Sequence, residues 1–516
     1  MKIKRALSLL LALLMVMSLL TSCGQKPTNP AADEDVAAGD KPVVIYCSAL
    51  MTSLNAFTAT GYPDRFIATN VYETLATVDN DGNVNPCLAK SWDVSDDALV
   101  YTFHLVDNAT FHNGETVKAS DVVFSYEYAK NYPQADKFIN MVDSVKAIDD
   151  TTVEFTLKNP SPMFLMYTMD VQIFCESFVK ASSDPDMKSV ECGSGPYKVT
   201  SFDGANHCYL EAYEDYRDGA PAIKNAEFRY VSDAASAAVS FEAGEITVMD
   251  SPIAQGKVLI DSGKYNYEYR TPLHTAIIAF NCTVAPFDNK LVRKALSYAA
   301  DKDTIIAVAY EGMAIPARIQ AGENCFGVDF SESENISYNP EKAKELLAEA
   351  GYPDGLDLTA MGIEFKTIAG GYHEKIAQVY QQNLADIGVT VELISTETPD
   401  EDVVAGDFAI MNEGLSYQPD FSNNQNHYCT KAIGASNMGH WSDAYVDEMF
   451  AKADAETDTE ARKAIYRELI AYIIDACPTL PIMHRQAIYL FDKNLNASFY
   501  DSSAHPYRIW EWSWNN

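Results

Sequence analysis

YTFHLVDNATFHNGETVKASDVVFS, residues 101–125, sets His104 and His112 close to Asp107, Glu115 and Asp121. A metal or catalytic cluster here would make the chain an enzyme, whereas a scaffold that happens to hold histidines would not. Leu99, Tyr101, Phe103 and Leu105 alternate with Val100, Thr102 and His104, the period of a half-buried strand, which puts His104 on the face away from the aromatics. Ser120 then precedes Val122, Val123, Tyr126 and Ala129, an apolar helical stripe with Ser120 as its expected N-cap. Two histidines separated by a strand end, a loop and a helix start have no standard ligand spacing. The tract therefore reads as strand, loop and helix, with its histidines and acids at exposed loop positions.

The flanks extend this pattern. PVVIYCSAL (42–50) is strand-like, TLATVDNDGNVNPCLAKSWDV (74–94) reads as a hairpin turning at Asp81-Gly82, and DSVKAIDDTTVEFTL (143–157) as another around Asp149-Asp150. Farther on, Asn339 caps a helix with Pro340 at its first position and a stripe of Ala343, Leu346, Leu347 and Ala350. A second helix is expected from Glu374 to Ile387, stopped by Gly388 and followed by the strand VTVELI, and a third over TEARKAIYRELIAYIIDA. Helix alternating with strand marks an α/β fold.

The 516 residues carry 73 acidic against 38 basic side chains, a net charge of −35, which makes nucleic acid and anionic lipid poor partners for the body of the protein. At the start, Lys2, Lys4 and Arg5 precede an apolar run from Ala6 to Leu20, too short to span a bilayer, and then Thr21, Ser22, Cys23 and Gly24. Residues 1–22 read as a secretory signal. Leu-Thr-Ser-Cys is similar to the bacterial lipobox, which implies lipid on Cys23 and a membrane contact through acyl chains alone. Residues 23–40, rich in proline, alanine and acid, read as a tether. The other nine of ten cysteines are scattered without a CxxC pair, so a disulfide framework or zinc ribbon is not expected.

Taken in order, Ala89-Lys90-Ser91-Trp92, the tract 101–125, Gly193-Ser194-Gly195-Pro196-Tyr197, Ala279-Phe280-Asn281 with the following 286–296, and Tyr338-Asn339-Pro340-Glu341 resemble the family 5 extracellular solute-binding proteins of bacterial ABC importers. Val106 departs from the arginine usual there. The resemblance implies a two-lobed periplasmic-binding-protein-like α/β clamp with an extra inserted domain. Lobe I would be 41–72, 192–270 and 486–516, domain II 73–191 and lobe III 271–485, with a hinge near Arg270 and Gln486. The histidines of the opening tract then belong to scaffold.

The resemblance also implies where ligand sits. Peptide binders of the family commonly place an aspartate for the ligand's α-amine in the segment matching NEGLSYQPDFSN, which holds Asn412, Glu413, Leu415, Tyr417, Gln418 and Asp420. A gapless match puts Leu415 and Gln418 where the family has tryptophan and aspartate, so Asp420 is either the displaced amine anchor or a turn residue after Pro419. Tyr372 and His373, just before a helix, face the cleft in relatives. Cys47, Ser48, Ala49 and Leu50 should form the wall of lobe I, with Asn281 at the hinge.

Chemistry is not expected. HEKIA has Ala377 where HExxH needs its second histidine, and Gly414-Leu415-Ser416-Tyr417-Gln418 lacks the last glycine of a nucleophile elbow. No catalytic residue, metal site or cofactor is assigned. The function expected is capture of a short peptide for a permease with its own ATPase subunits, by a monomer. The alternatives are nickel or a metal chelate, with His427 as one ligand, an oligosaccharide, or a secreted hydrolase.

Overall fold

The computed structural model describes residues 41–515 except 60, 81, 252, 272, 457 and 502–504. The expected signal peptide, Cys23 and the tether lie outside the described residues. Two large sheets dominate. The first runs in the order Asn266–Arg270, Ala487–Phe491, Val248–Ser251, Val43–Cys47, Asn225–Tyr230, His207–Ala212 and Tyr197–Asp203. Val43–Cys47 is its centre, buried along its whole length and parallel to both neighbours, which is why its sequence is an unbroken apolar run.

The second sheet has six strands in the order Ala314–Pro316, Thr479–Arg485, His274–Phe280, Ile410–Ser416, Glu364–Ile368 and Glu392–Thr396. The chain passes between the sheets twice within a few residues. Arg270 ends a strand of the first and His274 begins one of the second, and Arg485 ends a strand of the second two residues before Ala487 begins one of the first.

A smaller antiparallel sheet holds Ala89–Val94, Val100–Leu105, Thr152–Leu157 and Val142–Ala147. It contains residues 101–105, the strand that begins the tract 101–125. Tyr101, Phe103 and Leu105 are buried and Phe103 meets Phe155 edge-on at 5.3 Å. These side chains share one apolar core with Val43, Ile45 and Cys47 of the first sheet, and Val106 packs against it. The opposite face of the first sheet is covered separately by the helices Ala234–Glu242 and Ile253–Asp261.

The structure revises several local expectations. The helix of the opening tract is Ala119–Ala129 with Lys118, not Ser120, at the N-cap. Asp121 does the capping, its carboxylate accepting the Lys118 N–H at 2.9 Å and, from the neighbouring helix, the Glu176 N–H at 3.0 Å. The His112 side chain is buried rather than exposed. Its Nδ1 meets Glu191 at 2.7 Å and its Nε2 the Gly195 carbonyl at 3.0 Å, which ties this loop to the strand Tyr197–Asp203. Gly195 is needed for a close approach: a Cβ there would sit 2.7 Å from the Val71 carbonyl carbon.

The helix expected from Glu374 starts earlier, spanning Gly371–Asp386, so Tyr372 and His373 lie in its first turn. Asn339, Pro340 and the stripe through Ala343, Leu346 and Leu347 fall as expected, with the Asn339 carboxamide accepting the Lys342 N–H at 3.0 Å. The nine described cysteines are free thiols, seven of them buried.

Candidate functional site

Between the carboxyl end of Val43–Cys47 and the end of Ile410–Ser416 lies a cavity of about 1140 Å³. In open α/β sheets ligands sit beyond the carboxyl ends of strands, where the strand order leaves a crevice. One wall is Tyr46, Cys47, Ser48 and Ala49 with Asp250 from the adjacent parallel strand. The facing wall is Ser416, Tyr417 and Gln418, and the crossing segments contribute Leu273, Arg485, Ala487 and Tyr489. The helix Tyr62–Val71 adds Tyr62, Arg65 and Phe66, and the residues after the inserted helix Ala119–Ala129 add Gln134, Asp136 and Phe138.

The charges lining this cavity differ in how they are satisfied. Asp170 is held by Arg65 at 3.6 Å and by His505 Nε2 at 3.2 Å. Asp250 accepts no hydrogen bond and makes no ion pair among the described residues that reaches its carboxylate. It is open to solvent within the cavity while protein surrounds it otherwise, and desolvation raises its pKa above the ordinary carboxylate value, with Arg485 acting in the opposite direction. The Arg485 guanidinium lies 5.2 Å from the centre of the Tyr372 ring, and its Nε is buried without a hydrogen-bond partner. Burial pushes the Tyr372 phenol up to about 12, and the positive charge of Arg485 works against that shift.

Of the residues singled out from the sequence, Cys47, Ser48, Ala49, Tyr417 and Gln418 line the cavity. Leu50, just beyond, is exposed outside it. The others are spent on structure. Asp420 caps a short 3-10 helix by accepting the Ser422 N–H at 2.8 Å and pairs with Arg462 at 2.7 Å, its carboxylate almost fully buried. It is therefore not placed to hold a ligand's amine. Asn281 bonds the Phe408 carbonyl at 3.0 Å and the Thr283 hydroxyl at 2.6 Å. Asn412 meets His373 at 2.7 Å and the Ile277 carbonyl at 3.2 Å.

Glu413 accepts the Gly414 N–H at 2.9 Å, and Leu415 packs in a small core with Met411 and Phe408. Tyr372 stands behind Arg485 rather than on the lining itself. His427, the residue weighed for nickel, is buried against the Ser416 carbonyl at 3.1 Å, and burial lowers its pKa to about 4. Among the described residues no group of three or more His, Cys, Asp or Glu side chains is arranged to hold a metal ion.

Residues 83–436 match the middle-region profile of the bacterial extracellular solute-binding proteins, family 5. The chain belongs to this family. It is 32% identical over 366 residues to the glutathione-binding protein GsiB of Pectobacterium atrosepticum, covering 69% of this chain and 70% of that one. It is 27% identical to heme-binding protein A of Haemophilus influenzae over 94% of both chains. Its fold is similar to the solved structure of HbpA2 from Haemophilus parasuis, with a TM-score of 0.83 and 25% identity over 92% of this chain and all of the other. The architecture is accordingly the two-lobed α/β form of periplasmic binding proteins.

Family membership explains the tract that opens the sequence, whose histidines are structural here; Asp250 and Arg485 are charged lining residues that sequence reasoning did not single out. A signal for Asp250 was present: it is the acid near the carboxyl end of VMDS, beside the central strand, where an α/β sheet places ligand. Arg485 had a weaker one, a lone cation ending an otherwise buried strand at a crossing between sheets.

Proposed function

We propose that this family 5 protein is the lipid-anchored capture component of an ABC importer, enclosing a short peptide between two lobes and passing it unaltered to the permease. Lobe I would comprise 41–72, 192–270 and 486–516, domain II 73–191 and lobe III 271–485. The observation that carries the reading is the cavity of about 1140 Å³ walled by the strand ends of both large sheets. It is large enough for a small solute and combines Tyr46, Phe66, Phe138 and Tyr489 with polar and charged side chains, among them Arg65, Asp170, Asp250, Gln418 and Arg485.

Contacts to both walls at once favour the closed arrangement, and the two crossings near Arg270 and Gln486 are the natural hinge. A peptide is favoured by the 32% identity to a glutathione-binding protein, glutathione being a tripeptide. Cys23 supplies the anchor, and the protein acts as a monomer with no cofactor and no nucleic acid.

The test is thermal unfolding of a soluble form beginning after Cys23, with a mixed-sequence tripeptide pool, nickel, heme and cello-oligosaccharides in parallel. A ligand at a hundred times its Kd adds about 2.7 kcal/mol. The reading expects a rise in Tm with the peptide pool alone and recovery of the peptides intact. A rise with one of the other solutes only, or cleavage of the pool, contradicts it.

A further inference from the structure

We propose that Asp250 and Arg485 are the ligand's two charge anchors, Asp250 taking an ammonium group and Arg485 a carboxylate, so that the site selects zwitterions free at both ends. This rests on the peptide reading above and assigns residues and end-group chemistry to it. The aspartate position expected from the family's peptide binders is the neutral Gln418 in this lining, and the nearby Asp420 is consumed by Arg462. An amine bound at the old position would find no carboxylate.

The cavity does contain one elsewhere. Asp170 is already paired with Arg65 and in contact with His505 Nε2, and Asp136 begins a short helix on the side of the inserted domain. Asp250 stands at a strand end beside Cys47, accessible to the cavity, and no cation among the described residues lies within ion-pair distance of it. A carboxylate held there without a partner is unfavourable, and a ligand ammonium supplies the missing charge-assisted hydrogen bond.

Arg485 is its counterpart. Arg485 lines the cavity, its guanidinium lies 5.2 Å from the centre of the Tyr372 ring, and no carboxylate among the described residues lies within ion-pair distance of it. A planar guanidinium in the lining with no acidic partner suits a ligand carboxylate. The two anchors sit on different sheets, Asp250 on the seven-stranded one and Arg485 at the end of a strand of the six-stranded one. A ligand charged at both ends therefore bridges the lobes, and one blocked at either end loses hold of one lobe.

The experiment is equilibrium dialysis of the parent, Asp250→Asn and Arg485→Gln against an equimolar mixture of three tripeptide pools, with free ends, N-acetylated and C-amidated. Mass spectrometry counts what each protein retains. The parent is expected to prefer free ends over either blocked pool by about tenfold or more. Asp250→Asn should bring the free-to-acetylated ratio close to one while keeping the free-to-amidated ratio, and Arg485→Gln should do the reverse. Ratios are read within one protein, so partial unfolding of a variant does not mimic the result.

Parent-like ratios in both variants, or a parent that retains all three pools equally, overturn the assignment and leave the peptide reading standing. A parent that retains no peptide overturns both.

Discussion

His112 and Asp250 are both polar side chains set beside the first large sheet, and they differ in where their bonding capacity goes. His112 satisfies both ring nitrogens inside the protein, on Glu191 and the Gly195 carbonyl. Asp250 satisfies its carboxylate on neither a described donor nor a described cation, and it faces a cavity. In sequence the first looks more like a functional site, because it lies in a cluster of histidines and acids. In the fold the relation reverses: the clustered groups are each taken up by partners elsewhere in the scaffold, His112 by Glu191, His104 by Asp93 and Asp107 by Lys90, whereas the isolated charge at a strand end keeps no described partner. Asp420 belongs with His112 in this respect, since Arg462 uses it up.

The comparison can be broken most forcefully by pH. Burial holds His427 and His484 neutral, lowering each to about 4 from the ordinary 6.5. The unfolded chain binds these protons first, so the stability that the two neutral rings contribute is present above pH 6.5 and is lost as pH falls toward 4, at up to about 1.4 kcal/mol per pH unit for each ring. Urea unfolding between pH 7 and 4 should show this loss, and His484→Gln should remove the share of one ring while leaving that of His427. A pH-independent midpoint over that window would mean that these rings are not sealed inside.

Next in size is Asp420→Ala, which leaves the Arg462 charge buried and unpaired and should cost about 3–5 kcal/mol in the same measurement. If Asp420 were a ligand anchor instead, stability would be nearly unchanged and affinity would fall. His112→Ala removes two hydrogen bonds at a buried junction and should cost about 1–3 kcal/mol with ligand affinity unchanged. The smallest effect on stability belongs to Asp250→Asn, within about 0.5 kcal/mol of the parent, because no protein partner is lost. That variant should nevertheless show the largest loss of binding of the four, which separates the two classes of residue.

Much of the scaffold was legible because it obeys local rules. The alternation in VYTFHL, the Asn339-Pro340 start and the apolar run VVIYC are each written in a few consecutive residues. The capping of Ala119–Ala129 was misread because Ser120 is a common N-cap residue, while the actual cap is the Asp121 carboxylate reaching back to Lys118. Half of the site was legible as well, through strand ends such as Cys47-Ser48-Ala49. Asp250 and Arg485 carried only faint signals, since each becomes fully informative when strands 235 residues apart in the chain meet across the two sheets. Glu413 and Asn412 misled for the opposite reason: alternation along Ile410–Ser416 fixes which side chains leave one face, and a strand buried between two neighbours turns most of them into core.

The most direct test of the account is a crystal structure of the mature chain grown with the free-ended tripeptide pool. The account predicts a peptide in the cavity between the two sheets, its amino end at Asp250, its carboxylate at Arg485 and Gln418 alongside. An ordered peptide bound at another place, or one reversed so that its ammonium lies at Asp420, would contradict it.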